Sequence, residues 1–187
     1  MNKIPTLYVR DPQDMRRVTR EVTPGCEWVL AGHGVATVKR DGTNVRVTIE
    51  GGVVSLYEKR RNSTREQKAS GVEPGYVEVD QSAPENKHII DALFLTDIYG
   101  WPNGVWPCEA LGPKIQGGVE GVGPMLYPFT LNPIVVVSDP RDFDSIREFL
   151  EDAGIEGIVW HHGDGRMAKI KSRDFGIAWP PHLAEAP

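Results

Sequence analysis

Lys39 ends an apolar run, stands two residues ahead of Asp41-Gly42, and is followed by a second β-patterned run from Asn44. A lysine held at a strand end brings an amine to a sheet edge, where it can attack a phosphoanhydride once its proton is gone. A free lysine, with a pKa of ~10.4, is almost wholly protonated at neutral pH, so such chemistry needs neighbours that disfavour the charge. Other charged residues stand in apolar-patterned runs far along the chain. Glu109 sits between Cys108 and Ala110 in an apolar run, where a carboxylate demands a partner. Glu156 opens the run Gly157-Ile158-Val159-Trp160, and Lys169 and Lys171 alternate with Ile170. Taken singly, each has a plainer role. Asp-Gly between β-branched runs marks a hairpin, a strand-end lysine is a solvated edge charge, and Lys169 and Lys171 are the wet face of a strand.

The elements that must hold these residues read as follows. Residues 35–38 and 44–49 alternate as paired strands, and Glu50-Gly51-Gly52 turns into a third at 53–58, an antiparallel meander. Residues 60–70 read as a polar loop and 76–79 as a short strand. Ile89, Ile90, Leu93 and Phe94 recur at helical spacing within 86–97, and a turn at Trp101 leads into a strand at 105–111. The stretch from Pro113 to Pro128, dense in glycine and proline, reads as a loop. Ile134 to Val137 reads as a buried strand. Phe143, Ile146, Phe149 and Leu150 define an amphipathic helix closing at Gly154, and 155–160 with 166–171 form a hairpin around Gly163-Asp164-Gly165. The fold class expected is α+β with antiparallel sheet.

With 187 residues and no Ser/Gly-rich linker, the chain is expected to form one domain, 1–187. No run approaches the ~20 apolar residues of a membrane helix and no signal-peptide core precedes Arg10, so a cytoplasmic protein with no membrane partner is expected. Cys26 and Cys108 lack CxxC spacing and are expected to be buried, reduced thiols. A net charge of −5 and a pI near 5.6 exclude a protein that coats nucleic acid without selectivity. The cations are nevertheless grouped: Lys39, Arg40 and Arg46; Lys59, Arg60, Arg61, Arg65 and Lys68; Arg166, Lys169, Lys171 and Arg173. A local phosphate-binding surface on an acidic body fits that distribution, as do ordinary solvated strand faces.

Four segments in order carry a resemblance: Lys39-x-Asp41-Gly42; Cys108-Glu109-Ala110-Leu111-Gly112-Pro113-Lys114-Ile115-Gln116-Gly117; Glu156-Gly157-Ile158-Val159-Trp160-His161; and Lys169-Ile170-Lys171. They resemble motifs I, III, IV and V of the covalent nucleotidyltransferases, the superfamily of DNA ligases, RNA ligases and mRNA capping enzymes. Asp41-Gly42-Thr43-Asn44, Gly112-Pro113-Lys114-Ile115-Gln116-Gly117, and the ending Asp164-Gly165, Lys169, Phe175-Gly176, Trp179 are most similar to the RNA ligase family that includes the vertebrate 5′-3′ RNA ligase and its phage and bacterial relatives. The resemblance covers about residues 28–180, and four motifs in order are far more specific than any one.

The resemblance implies an adenylation domain that acts as an ATP-dependent RNA ligase. Lys39 would attack the α-phosphate of ATP to form lysyl-AMP, pass AMP to an RNA 5′-phosphate, and allow joining to a 3′-hydroxyl. Lys169 and Lys171, on a strand expected to face Lys39, would contact the α-phosphate and offset charge developing on it. Glu156 is the implied carboxylate for Mg²⁺ or Mn²⁺, with Asn44 and Asp41 holding the motif I loop and hydrated metal. Glu109 would hold the ribose hydroxyls or order metal waters, either Arg60 or Arg61 would engage ribose or 5′-phosphate, and Lys114 is a further phosphate contact. Gly42 belongs to the same nucleotide-binding loop.

His161-His162 lacks a second ligand pair, and adjacent strand histidines point to opposite faces, so neither is taken as a metal ligand; His161 is at most a contact behind the site. Trp101, Trp106, Trp160 and Trp179 are read as packing residues before base-stacking ones. The sequence stops soon after motif V, which implies no OB or helical C-terminal domain and leaves substrate contacts to the core, an oligomer or a protein partner. Competing readings are a DNA ligase or capping enzyme, a non-catalytic nucleotide- or RNA-end-binding module on the same fold, and an unrelated α+β protein with chance motifs.

Overall fold

The computed structural model describes residues 4–61, 64, 75–131 and 133–180. They form an α+β chain of short helices and antiparallel sheets, gathered into two compact units: Met1–Arg40 with Ile134–Pro187, and Asp41–Pro133.

The first unit holds β1 (Tyr8–Arg10), β2 (Val18–Val22), the one-turn helix α1 (Glu27–Leu30), β3 (Val35–Lys39), and from its second segment α3 (Phe143–Ala153), β9 (Gly157–His161) and β10 (Met167–Lys171). β1 and β2 pair as a small hairpin, and β10-β9-β3 form a three-stranded antiparallel sheet. Period-two alternation sends Ala36, Ile158, Trp160, Ala168 and Ile170 to one face, where Leu7, Tyr8, Ile146 and Leu150 close the core. α3 forms where expected. The Asp142 carboxylate accepts from the backbone N–H groups of Asp144 and Ser145 at 3.1 and 3.0 Å, and Gly154 ends the helix at φ 56° in the left-handed region. The β9–β10 hairpin is as read, closed by Gly165 at φ 91°.

The second unit holds β4 (Thr43–Glu50), β5 (Val53–Arg60), β6 (Tyr76–Glu78), α2 (Lys87–Phe94), β7 (Gly104–Leu111) and β8 (Met125–Pro128), with sheet order β6-β5-β4-β7-β8. Val45, Val47, Ile49, Tyr57, Cys108, Ala110 and Leu126 pack with Ile89 and Ala92 of α2 as a separate core, and Trp101 and Trp106 flank it in a T-shaped pair. Both cysteines are buried and unbridged; burial pushes the Cys108 thiol up to about 12.

The structure departs from the sequence reading in five places. Segments 35–38 and 44–49 are not partners: β3 pairs with β9, whereas β4 pairs with β5 and β7, so Asp41-Gly42 carries the chain from one sheet to another instead of closing a hairpin. β10 is not opposed to β3; both flank β9 in one sheet. Ile134 to Val137 is not a buried strand, since Val135 makes only an isolated bridge to Thr37 and Val136 alone is buried. Part of the 113–128 loop is β8, paired with β7. Phe94, placed on the apolar side of a helix, is 72% exposed at the helix end. The loop read at 60–70, with Arg65 and Lys68, lies largely outside the described residues.

Candidate functional site

Register fixes what the first unit presents. Lys39 and Lys171 are the two cross-strand partners of Gly157, and Thr37 and Lys169 are those of Val159. These rows lie on the sheet face opposite the apolar core, because side chains alternate. Glu156, just ahead of β9, is 2% exposed, and its carboxylate is shared: Lys39 Nζ donates to Oε2 and Lys171 Nζ to Oε1. Lys39 also donates to the Arg40 carbonyl at 3.2 Å. The arrangement is a nearly symmetric pair of amines on one buried acid. Burial, and then the charge on Lys39, push the Lys171 ammonium below the usual lysine range, with Glu156 opposing both.

Two features keep these groups in register. The Asp174 carboxylate, also 2% exposed, accepts the Lys171 backbone N–H at 2.9 Å and an Arg10 guanidinium N–H at 2.6 Å. Ser172 donates its backbone N–H to the Glu156 carbonyl at 2.9 Å. Gly157 is needed for space: a Cβ there would lie 2.1 Å from the Ile170 carbonyl oxygen and 2.9 Å from the Lys171 Cα. Gly157→Ala is therefore expected to push β10 off β9. It should cost about 1–3 kcal/mol, as overpacking does, and part Lys171 from Glu156. A thermal melt checks this, and an unchanged midpoint would contradict it.

On the same face the Thr37 hydroxyl donates to the Val159 carbonyl at 3.0 Å, which leaves Thr37 Oγ1 to accept from His161 Nε2 at 3.1 Å. Burial lowers the His161 pKa, keeping the ring neutral. His162 points the other way, edge-on to Trp28 with centroids 5.1 Å apart. Among the described residues no three His, Cys, Asp or Glu side chains come together as a metal site. Trp160 is fully buried in the core.

In the second unit Asn44, Glu109 and Tyr127 form one row across β4, β7 and β8. The Tyr76 hydroxyl donates to Asn44 Oδ1 at 2.5 Å, and the Arg46 guanidinium stacks 4.4 Å from the Tyr76 ring centroid while pairing with Glu58 at 2.6 Å. Arg60, half-buried, pairs with Tyr76 in register, whereas Arg61 is exposed. Gly42 is a close-approach residue: a Cβ would lie 2.3 Å from the Ala110 carbonyl oxygen and 2.7 Å from Glu109 Cγ. Gln116 donates to the Gly42 carbonyl at 3.2 Å, and Glu120 accepts the Asp41 backbone N–H at 2.6 Å, so the loop carrying Gln116 and Glu120 holds Asp41-Gly42. Lys114 is exposed on that loop.

The structure thus gathers Lys39, Glu156 and Lys171 into one cluster with Lys169 on the same face, and sets Asn44 and Glu109 side by side on the second unit's sheet. Sequence reasoning missed Thr37, Asp174, Arg10, Tyr76 and Glu120. Thr37 and Tyr76 lie within strands already recognised, and strand alternation could have found both.

No family model matches the sequence. Over 80 residues, 38% of this chain, it is 30% identical to RNA ligase 1 of Rattus norvegicus and 30% identical to that of Pongo abelii. RNA ligase 1 of Danio rerio is 28% identical over the same length. The match covers 25% of each of these relatives, so it spans about a quarter of the length of the curated proteins it resembles. This chain carries an RNA ligase-like segment in an α+β, antiparallel framework.

Proposed function

We propose that the protein is an ATP-dependent RNA ligase whose first step is self-adenylation of Lys39. The observation that carries the reading is the pair of lysine amines held on the buried Glu156 carboxylate, within a chain similar in part to RNA ligase 1. The Lys39 nitrogen attacks the α-phosphorus of ATP; an N–P bond forms and the bond to pyrophosphate breaks. AMP then passes to an RNA 5′-phosphate, and a 3′-hydroxyl displaces it. Lys171, and Lys169 on the same face, supply positive charge to the phosphate as pyrophosphate leaves. Glu156 sets the amine's position, and Asp174 sets that of the strand carrying Lys171.

In the second unit the reading assigns Glu109 to ribose hydroxyls, Asn44 and Asp41 with Gly42 to the nucleotide-binding loop, and Arg60, Arg61 and Lys114 to phosphate or ribose. The ion of the reading is Mg²⁺ or Mn²⁺, which keeps several waters and takes one or two protein oxygens beside substrate phosphates. Glu156 in the first unit offers an oxygen donor for it, Asn44 in the second unit is a separate candidate donor, and the ion when bound would neutralise phosphate charge. Both Glu156 oxygens already accept from ammonium groups, so metal and lysines compete for that carboxylate.

Intact-mass measurement after incubation with ATP and Mg²⁺ tests the reading, with a mass gain of one AMP expected. Adduct formation should accelerate as pH rises from 7 towards 10. Only a neutral amine can attack phosphorus, so base favours the step. ATP binding without an adduct at any pH would leave a nucleotide- or RNA-end-binding module instead.

A further inference from the structure

We infer that the N-terminal hairpin builds a binding groove for the phosphodiester backbone of single-stranded RNA. The inference rests on the ligase reading and assigns a surface to its substrate. The hairpin lies ahead of every recognised motif, yet it is fastened to the motif V strand: Lys169 donates its backbone N–H to Pro5 and its carbonyl accepts from Leu7, at 3.0 and 2.7 Å. An open groove of about 1100 Å³ runs between them, with Lys169 and Lys171 on one wall and Arg10, Arg16, Arg17 and Arg173 around it.

Six cations in one groove are conspicuous on a chain of net charge −5. The carboxylate among the lining residues is Asp174, engaged by Arg10 and the Lys171 backbone; the Lys171 amine is held by Glu156, and Arg16 pairs with Asp14. Arg17 and Arg173 make no salt bridge among the described residues, although Arg17 lies near enough to Asp14 to help lower its pKa. Arg17 is also placed, lying across Gly176 so closely that a Cβ there would meet its Nη1 at 1.2 Å. Asp174 holds Arg10 by its Nη1. These are guanidinium groups set beside one another in a groove, the geometry that tracks a phosphate backbone.

Size separates RNA from the triphosphate of ATP as the occupant. The lining runs from the two lysines to Arg16 and Arg17 at the hairpin turn, and about 1100 Å³ exceeds the ~300–1,000 Å³ of small-molecule pockets. Trp179, half-buried, lines the same groove and offers a ring for a base to stack on, which a single strand can use and a duplex cannot.

The test is fluorescence anisotropy with the full chain and a 5′-phosphorylated single-stranded RNA of about 12 nucleotides, within the site sizes of single-strand binders. Lysyl-AMP formation is measured separately by mass. Arg17→Ala/Arg173→Ala is expected to bind the RNA roughly tenfold more weakly and to lower the salt slope by about 1.4, the share of two single-strand phosphate contacts. Adenylation should remain within twofold of wild type. Arg17→Lys/Arg173→Lys should restore most of the binding, which separates loss of charge from loss of packing. Unchanged RNA affinity, or no RNA binding by the wild type, overturns the inference. Loss of ATP affinity and of the adduct with RNA binding intact also overturns it, by giving the groove to the triphosphate. Equal competition by duplex RNA overturns the single-strand assignment. Adduct formation with unaltered RNA binding in the variant would leave the ligase reading standing; weakened RNA binding in a protein that forms no adduct would leave the groove standing without it.

Discussion

Lys39→Ala is expected to yield no AMP adduct under conditions in which the wild-type chain is fully converted, whereas Lys171→Ala should retain a slow adduct. The comparison matters because the geometry alone does not separate the two lysines. Each donates to one oxygen of the same carboxylate, each flanks Gly157, and each side chain is less than a fifth exposed. Lys171 even has the depressed ionisation that a nucleophile wants. What assigns the attack to Lys39 is its place in the Lys39-x-Asp41-Gly42 segment. Lys39→Arg should be as inactive as alanine, since a guanidinium keeps its charge at any accessible pH. It would still satisfy Glu156, so its thermal midpoint should stay closer to wild type than that of Lys39→Ala. The measurement is intact mass with ATP and Mg²⁺ on each variant. An adduct on Lys39→Ala that vanishes on Lys171→Ala would exchange the two roles; an adduct on both would place the reaction elsewhere.

The elements legible in the sequence were those whose signals are local. Gly154 ends α3 where it is read to, because a left-handed terminator acts within a turn of itself. The β9–β10 hairpin follows from one glycine-rich turn. The pairing of β3 was not legible, because Asp41-Gly42 reports only that the chain turns and says nothing of what β3 pairs with. Its partner carries the acid that binds Lys39, 117 residues away in sequence. Ile134 to Val137 misled for a related reason: four apolar residues fit a buried strand, but a segment with one bridge to the sheet edge leaves Val137 92% exposed.

For the site, residue types were legible and their partnerships were not. The resemblance assigns Glu156 to a metal, and no spacing rule shows that its carboxylate accepts from two lysines. Gly42 looked like a turn glycine and is where β4 meets β7 too closely for a side chain. Asp174, which no sequence signal singles out, is buried between Arg10 and the Lys171 backbone. Each belongs to contacts between segments distant in sequence, which no spacing rule encodes.

The sharpest energetic consequence lies at Glu156. Glu156→Gln keeps the shape of the side chain and one acceptor, yet turns an N–H donor towards one of two ammonium groups. A buried ion pair contributes little over an apolar substitute, but removing one partner leaves the other charge uncompensated. Glu156 is 2% exposed and serves two cations, so the substitution is expected to cost about 3 kcal/mol. In a chain of this size that is a fall of roughly 6–12 °C in the thermal midpoint. The loss should shrink with rising pH. Glu156 is a group that raises the Lys171 pKa, so its removal drives that pKa further below the unfolded value. Between the two values the folded state binds fewer protons than the unfolded one, and stability then rises with pH. Adduct formation should fall by ~10²-fold even at a pH where the variant is fully folded, the scale of loss when a reacting group is misplaced by about 1 Å. Urea titrations from pH 7 to 10 alongside adduct mass read both effects. A variant as stable as wild type at pH 7 would mean that the two amines do not depend on this carboxylate for their charge.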